Sequence, residues 1–347
     1  MFNVLKGNDI LLFARVPMNL VCLRSIYEKL KCSYRFYYSF KNAGDFEISD
    51  FRNCVPGAVF IPSIIAKYIK WRLYLTSDIY LLSKNASCKI YTFHGVSFKG
   101  RSYTHKVLMY DRLFIIGPYM LERFIKLGIL KENDKRILKV GMPKLDSLVD
   151  GTWDICNSRE YLGIFEHQYN FVALYAPTWG VASSFYSYID VIVNVITSMN
   201  GCLIIKLHDH LLHHKDVKRK IDMYRYNPNV LVYESYDIIP AMAAADFLIT
   251  DLSSVANEFL VLDRPIVFLW VPSSLERYGD TLDKEMVFRG GVLVDRPDAV
   301  LLEKTITDVL AHPEIFSEDR RFLKNYLFYN LGKATSVAVS YIKEILS

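Results

Sequence analysis

The chain has 347 residues, 52% of them hydrophobic and 23% charged, which is enough apolar material for a sizeable core and lies outside the composition of disordered chains. Its 42 Lys and Arg against 37 Asp and Glu leave a net charge of +5, dispersed along the sequence, that suits an anionic substrate or an anionic membrane surface. The charge is too small and too scattered for a nucleic-acid binder, and no RNA module or helix-turn-helix pattern accompanies it.

The length predicts two domains. Cys22, Cys32, Cys54, Cys88, Cys156 and Cys202 carry no CxxC or zinc-like spacing and read as reduced, mostly buried thiols. Residues Met1 to Asp9 lack the charged-then-apolar order of a signal peptide, and no apolar run reads as long enough to cross a bilayer, so the expected location is the cytoplasm.

Short apolar runs alternate with segments of helical period, which predicts βα units and parallel sheets. In the first half the predicted strands are Ile10 to Ala14, Tyr34 to Ser39, Ile79 to Leu82, Ile90 to Phe93, Leu113 to Ile116 and Ile137 to Val140. Helices are expected near Leu20 to Leu30, Pro62 to Leu75 and Pro118 to Leu127. The stretch Ala58 to Leu75 sets Phe60, Ile61, Ile64, Ile65, Tyr68, Ile69 and Trp71 among Lys67, Lys70 and Arg72. It reads either as a basic amphipathic helix for anionic lipid or as a surface helix packed on a sheet.

A polar segment over 151–170 interrupts the alternation and is the expected linker between a domain of residues 1–150 and one of 171–347. The pattern then restarts with strands predicted at Phe171 to Tyr175, Cys202 to Leu207, Val230 to Tyr233, Phe247 to Ile249, Ile266 to Leu269 and Val292 to Val294, and a helix over Tyr188 to Met199. The last fifty residues read as consecutive helices. The predicted fold class is α/β: two Rossmann-like domains facing across a cleft, with C-terminal helices. Ligands of such sheets bind beyond the carboxyl ends of strands, so polar residues at those ends are the functional candidates.

Four stretches meet that criterion. In Asp246 to Phe259, a strand delivers Thr250 and Asp251 to its end and Ser253-Ser254 opens a helix, whose free N–H groups and hydroxyls suit a phosphate. The alternative is that Asp251 or Ser253 simply caps that helix. In Ile90 to Arg101, a strand ends at His94, Gly95 permits a sharp turn, and Lys99 and Arg101 can attract phosphate. A neutral imidazole there can serve as a general base, or only hydrogen-bond at a strand end. In Leu203 to His210, Lys206 and His208 end a strand, and His208 can donate to a phosphate oxygen. His208, His210, His213 and His214 lack a zinc motif and read as a polar turn, so no metal is expected. Leu174 to Gly180 ends another strand with Thr178 and Trp179, a donor-facing loop or a packed turn, and Arg289 before Gly290-Gly291 can reach a phosphate or an acceptor.

Together these stretches resemble the CDP-glycerol glycerophosphotransferase family of teichoic-acid and capsule synthesis, from about Ile79 onward and in family order. Tyr91 to Gly95 with Lys99 is similar to its histidine-glycine motif, and Val140 to Asp146 to its glycine-x-proline-arginine-x-aspartate turn. Leu174 to Trp179 is similar to its alanine-proline-threonine-tryptophan loop, and Asp246 to Ser254 to its aspartate-x-serine-serine segment. The sequence departs from the family pattern at Val96-Ser97, Asp209, Leu252 and Glu258. The resemblance implies a GT-B fold and transfer of glycerol phosphate or ribitol phosphate from CDP-glycerol or CDP-ribitol to a polyprenyl-linked or polymer acceptor, releasing CMP, without a separate cofactor. It implies His94 as base, His208, Ser253 and Ser254 near the donor pyrophosphate, and Thr178, Asp251 and Arg289 as further candidates. A short, primase-like member is the expected form. A sugar transferase using a UDP- or CMP-sugar, and a non-catalytic nucleotide- or polymer-binding module, remain as alternatives.

Overall fold

The computed structural model describes residues 9–41, 46–100, 103–165, 168–212 and 214–347. Arg101, His213 and the first eight residues lie outside the described residues. The chain divides into two units: Met1–Val96, Tyr103–Asp146 and Tyr326–Ser347 form the first, and Ser97–Ser102 with Ser147–Asn325 the second. The division differs from the expected one at both ends. The hexapeptide after Val96 belongs to the second unit, and the C-terminal helix belongs to the first, although its period gives no sign of which core it joins.

The first unit is built on seven parallel strands, β1 (Asp9–Ala14), β2 (Arg35–Phe40), β3 (Val59–Phe60), β4 (Trp71–Thr76), β5 (Ala86–Tyr91), β6 (Arg112–Ile115) and β7 (Ile137–Lys139), in the order β3-β2-β1-β4-β5-β6-β7. The order reverses beside β1, as in a doubly wound fold. Two predictions fail here. Ile79 to Leu82 forms no strand, and the helix expected over Pro62 to Leu75 is a single turn, Ser63–Ala66, followed by β4. Trp71, Leu73, Tyr74 and Leu75 are buried between β1 and β5. A strand covered on both faces reads as a continuous apolar run, which its periodicity does not distinguish from a helix.

Two features of the Val140 to Asp146 turn explain its residue types. Gly141 has φ +97°, and a Cβ on it would lie 2.1 Å from the carbonyl oxygen of Tyr329. Asp146 is buried and accepts hydrogen bonds from the backbone N–H groups of Ala334 (3.2 Å) and Thr335 (2.7 Å), the first residues of the helix Ala334–Leu346. A carboxylate on the unsatisfied N–H groups of a helix is a cap supplied from a distant segment. The turn therefore fastens the C-terminal helix to this unit.

The second unit repeats the plan with β8 (Val172–Tyr175), β9 (Cys202–Ile205), β10 (Val230–Val232), β11 (Phe247–Thr250), β12 (Ile266–Leu269) and β13 (Val292–Val294), all parallel, in the order β10-β9-β8-β11-β12-β13. The order reverses between β8 and β11. The helix Phe185–Ser198 packs Phe185, Tyr188, Ile189, Ile192 and Val193 into the core of this sheet. With the turn before it, the run Gly180–Ser198 is long and apolar enough to span a bilayer, contrary to the sequence expectation, but 56% of it is buried in the protein. None of the six cysteines is in a disulfide; Cys22, Cys54 and Cys202 are buried, whereas Cys32 and Cys156 are exposed.

Replacing Asp146 with Ala is expected to lower stability by about 1–2 kcal/mol through loss of the remote cap. Denaturant titration would measure it, and an unchanged midpoint would show that the helix Ala334–Leu346 does not depend on this carboxylate.

Candidate functional site

In the first unit, β5 ends at Tyr91 and the chain turns through Phe93, whose φ of +58° makes it one of few non-glycine residues in the left-handed region. Gly95 was expected to permit a sharp turn or a close approach to a ligand; the positive φ lies two residues earlier, at Phe93. A bulky residue holds this conformation only where packing over-determines it. Phe93 is buried, 4.2 Å from the Tyr91 ring and 5.8 Å from that of Phe124. The next residue, His94, is exposed, and its Nδ1 lies 3.0 Å from the carbonyl oxygen of Ser77. A carbonyl only accepts, so Nδ1 carries the proton and the neutral ring presents Nε2 as a lone pair. That is the form a general base requires.

In the second unit the carboxyl ends of β8 and β11 are knitted together by side chains. The Thr250 hydroxyl donates to the carbonyl oxygen of Ala176 at 2.7 Å, and the Asp251 carboxylate accepts from the N–H groups of Thr178 and Ser184, both at 2.7 Å. Thr250, Asp251 and Thr178 are buried. Burial pushes the Asp251 carboxyl up, while the two N–H groups and Lys99 pull it back. These residues were expected to face a ligand; they hold the two loops in place.

The turn they support ends in Ser253 and Ser254, which are part-exposed and open the helix Val255–Phe259. Ser254 makes no side-chain cap, and the Ser253 hydroxyl accepts only a 3.4 Å bond from the N–H of Val255. The helix has five residues, continued by the turn Leu260–Leu262, so its dipole is small. What the turn offers an anion is its hydroxyls and backbone donors.

Lys99 comes to this turn from the hexapeptide after Val96. It forms an antiparallel bridge with Leu282, and its Nζ donates to the carbonyl oxygen of Leu252 at 2.6 Å and lies 5.0 Å from the Tyr278 ring centroid. Burial lowers its pKa to about 8; Asp251 opposes that shift and Arg277 adds to it. Ser97, Lys99, Asp251, Ser253, Ser254 and Asn257 line a cavity of about 10 Å³, room for one water-sized group.

At the end of β9 the picture is divided. Lys206 is buried and its Nζ donates to the Leu207 carbonyl at 2.8 Å and faces Asp209 at 3.3 Å, so it was expected to bind substrate but serves the loop itself. His208 accepts the His210 N–H on Nδ1 at 3.2 Å, which leaves the proton of the neutral ring on Nε2 as a donor. Trp179 packs against both imidazoles, with centroids 5.9 and 5.2 Å away. Arg289, expected to reach a phosphate or an acceptor, pairs through Nε with Asp319 at 2.7 Å and lies over Phe322. No group of three His, Cys, Asp or Glu suited to a metal occurs among the described residues.

The element the sequence reading missed is the helix Ser273–Tyr278, which follows β12 and brings Arg277 and Tyr278 beside Trp179 and Lys99. The strand-end criterion covered it, because Ser273-Ser274 follow β12 as Ser253-Ser254 follow β11.

A family model described as CDP-Glycerol:Poly(glycerophosphate) glycerophosphotransferase matches residues 23–342. A teichoic acid poly(glycerol phosphate) polymerase of Staphylococcus epidermidis is 28% identical over 284 residues, 70% of this chain and 37% of its own length. A teichoic acid glycerol-phosphate primase of Bacillus subtilis is 24% identical over 247 residues, 69% of this chain and 58% of its own. The matched regions thus span between about a third and three-fifths of these relatives. Among solved structures, the wall teichoic acid polymerase TagF superposes with a TM-score of 0.75 at 18% identity, covering 100% of this chain and 91% of that one. A putative UDP-N-acetylglucosamine 2-epimerase from Listeria monocytogenes gives 0.62 at 13% identity, covering 98% and 96%. At these identities the likeness is one of fold, and it agrees with the GT-B class.

Lys99 generates a pH signature. Its pKa is about 8 in the folded protein against an ordinary 10.5, so the unfolded chain binds more protons between those values and this group's contribution to stability rises with pH across that window. Relative to Lys99→Met, the wild-type protein should gain on the order of 2 kcal/mol between pH 7.5 and pH 10. Parallel denaturation curves for the two proteins that keep a constant separation across that range would disprove the burial of this ammonium.

Proposed function

Since the chain belongs to the CDP-glycerol:poly(glycerophosphate) glycerophosphotransferase family, we propose that it transfers glycerol phosphate from CDP-glycerol to a hydroxyl of a teichoic-acid-type polymer or polyprenyl-linked acceptor and releases CMP. The observation that carries this reading is the complementary state of the two imidazoles. His94 presents an unprotonated Nε2, because Ser77 fixes the proton on Nδ1. His208 presents a protonated Nε2, because its Nδ1 is occupied by the His210 N–H.

In the proposed reaction the His94 Nε2 removes the proton of the acceptor hydroxyl as its oxygen attacks the β-phosphorus. The bond from that phosphorus to the bridging oxygen breaks, and the electron pair leaves with CMP. The Ser253 and Ser254 hydroxyls, the nearby backbone donors and the His208 Nε2–H stabilise the charge gathering on the departing phosphate. Transfer at phosphorus asks little covalent chemistry of the protein, so positioning and charge stabilisation supply most of the rate. No separate cofactor enters this scheme. The similar TagF structure was obtained after a soak with CDPG, which supports such a donor for a protein of this fold.

We place the reaction on the cytoplasmic face of the membrane. Val59, Ile64, Ile65 and Tyr68 in the first unit are exposed at 55%, 68%, 44% and 72%, with Lys67 and Lys70 beside them. Exposed apolar side chains grouped with ammonium groups suit the surface of anionic lipid.

His94→Ala should abolish CMP release from CDP-glycerol in the presence of acceptor while leaving CDP-glycerol affinity within about twofold, since the base acts in the transition state alone. Turnover near the wild-type rate would remove His94 from the role. Replacing Lys67 and Lys70 with Gln is expected to weaken sedimentation with phosphatidylglycerol vesicles, most at low salt, by up to about 1 kcal/mol per charge. Vesicle binding indifferent to both changes and to salt would end the docking proposal.

A further inference from the structure

Two cations in the second unit are gathered on one phenol ring. The Lys99 Nζ lies 5.0 Å from the Tyr278 ring centroid and the Arg277 guanidinium carbon 5.6 Å from it. Each also donates to the carbonyl of a strand-end loop, Lys99 to Leu252 after β11 and Arg277 to Trp179 after β8, the latter at 3.3 Å. Arg277 further lies over the Trp179 indole, 4.6 Å from its centroid.

Like charges drawn together on a partly buried surface repel, and the repulsion is visible in Lys99, whose pKa is lowered first by burial and then by Arg277. Such an arrangement becomes favourable when an anion bridges the cations. The guanidinium is already held in place by the indole and the Trp179 carbonyl, so little side-chain freedom remains to be lost on binding.

A second observation concerns the loop beneath it. Gly180 has φ +76°, and a Cβ there would sit 2.4 Å from the Arg277 Nη1. Only glycine both adopts that conformation and leaves the guanidinium its place. The helix carrying Arg277 is tied to the same loop by the Ser273 hydroxyl, which donates to the Val181 carbonyl at 2.5 Å. Loop and helix are therefore built to present this one side chain, next to the cation that touches the Ser253–Ser254 turn.

We infer that Arg277 is a phosphate-binding residue, forming with Lys99 a second anion seat beside the Ser253–Ser254 turn, so that one phosphate of a nucleoside diphosphate lies on the turn and the other on the two cations. This rests on the reading of the protein as a user of a diphosphate donor. Arg277 stands outside the residues that the sequence patterns single out.

The probes are CDP and inorganic pyrophosphate, with affinities measured by calorimetry over a series of salt concentrations. Arg277→Gln is expected to lose about tenfold in affinity for both and to show a shallower salt dependence, because one charge–charge attraction has gone. Arg277→Lys should keep the salt dependence and lose less. Ser273→Ala loosens the tie that presents Arg277 without changing a charge, so it should keep the salt dependence and lose clearly less affinity than Arg277→Gln. Wild-type affinity and salt dependence in Arg277→Gln would overturn the inference, as would an equal loss in Ser273→Ala, which would make Arg277 a loop fastener. Wild-type protein that binds neither probe overturns the functional reading and this inference with it; wild-type binding with an unaffected Arg277→Gln overturns the inference alone.

Discussion

The second unit depends on one carboxylate. Asp251 stands at the carboxyl end of β11 and accepts the N–H groups of Thr178 and Ser184, which follow β8. Strands β8 and β11 are the neighbours at which the sheet order reverses, so the loops leaving them diverge and open the crevice where ligands of such sheets bind. Diverging loops have no ladder to hold them. Two charge-assisted hydrogen bonds accepted by a buried carboxylate, each stronger than a neutral one, supply the missing link. The Thr250 hydroxyl on Ala176 adds a third contact one residue earlier.

The consequence is a division of labour within a short segment. Thr250 and Asp251 are spent on the scaffold, and Leu252 packs with Tyr278 and Leu282. Only then does the chain offer Ser253 and Ser254 outward. A phosphate turn made of small hydroxyl residues on so short a helix owes little to a macrodipole. It owes more to being held still, since preorganised donors need no reorientation when charge develops. Lys99 contributes in the same sense, because its ammonium sits on the carbonyl just before the serines. Phe93 is the counterpart in the first unit: a strained residue, fixed by aromatic packing, that sets the direction of the imidazole following it.

Much of this was legible in the sequence. Eleven of the thirteen strands among the described residues fall in the runs predicted for them, and the doubling of the pattern announces two sheets. What misled was β4, where Trp71, Leu73, Tyr74 and Leu75 are buried on either side of a partly buried Arg72 and so show no strict alternation. Also missed was β3, whose two residues give no period at all. The candidate site was legible as a set of strand ends but not as a set of roles. A sequence marks Thr178, Lys206, Asp251 and Arg289 as polar and well placed; it does not reveal that each is engaged by a neighbouring backbone group or carboxylate. Conversely, Arg277 lies in a stretch with no recognisable motif, and its place beside Trp179 depends on tertiary packing of a helix on a loop.

The same reasoning separates the motifs of the family by what they do. The Val140 to Asp146 turn carries a glycine, a proline and an aspartate, residue types that often mark a ligand loop, yet the glycine admits the backbone of Tyr329 and the aspartate caps the C-terminal helix. The turn is a fastening. The histidine segments differ because a backbone group bonds one ring nitrogen of each and so sets the tautomer of the ring. His94 donates a hydrogen bond from Nδ1–H to a carbonyl and His208 accepts one on Nδ1 from an amide N–H, and these opposite local bonds give two identical side chains opposite chemistry. A motif thus acquires a chemical role through the group that occupies its other end, and for these imidazoles that group is a backbone atom no pattern of residue types records.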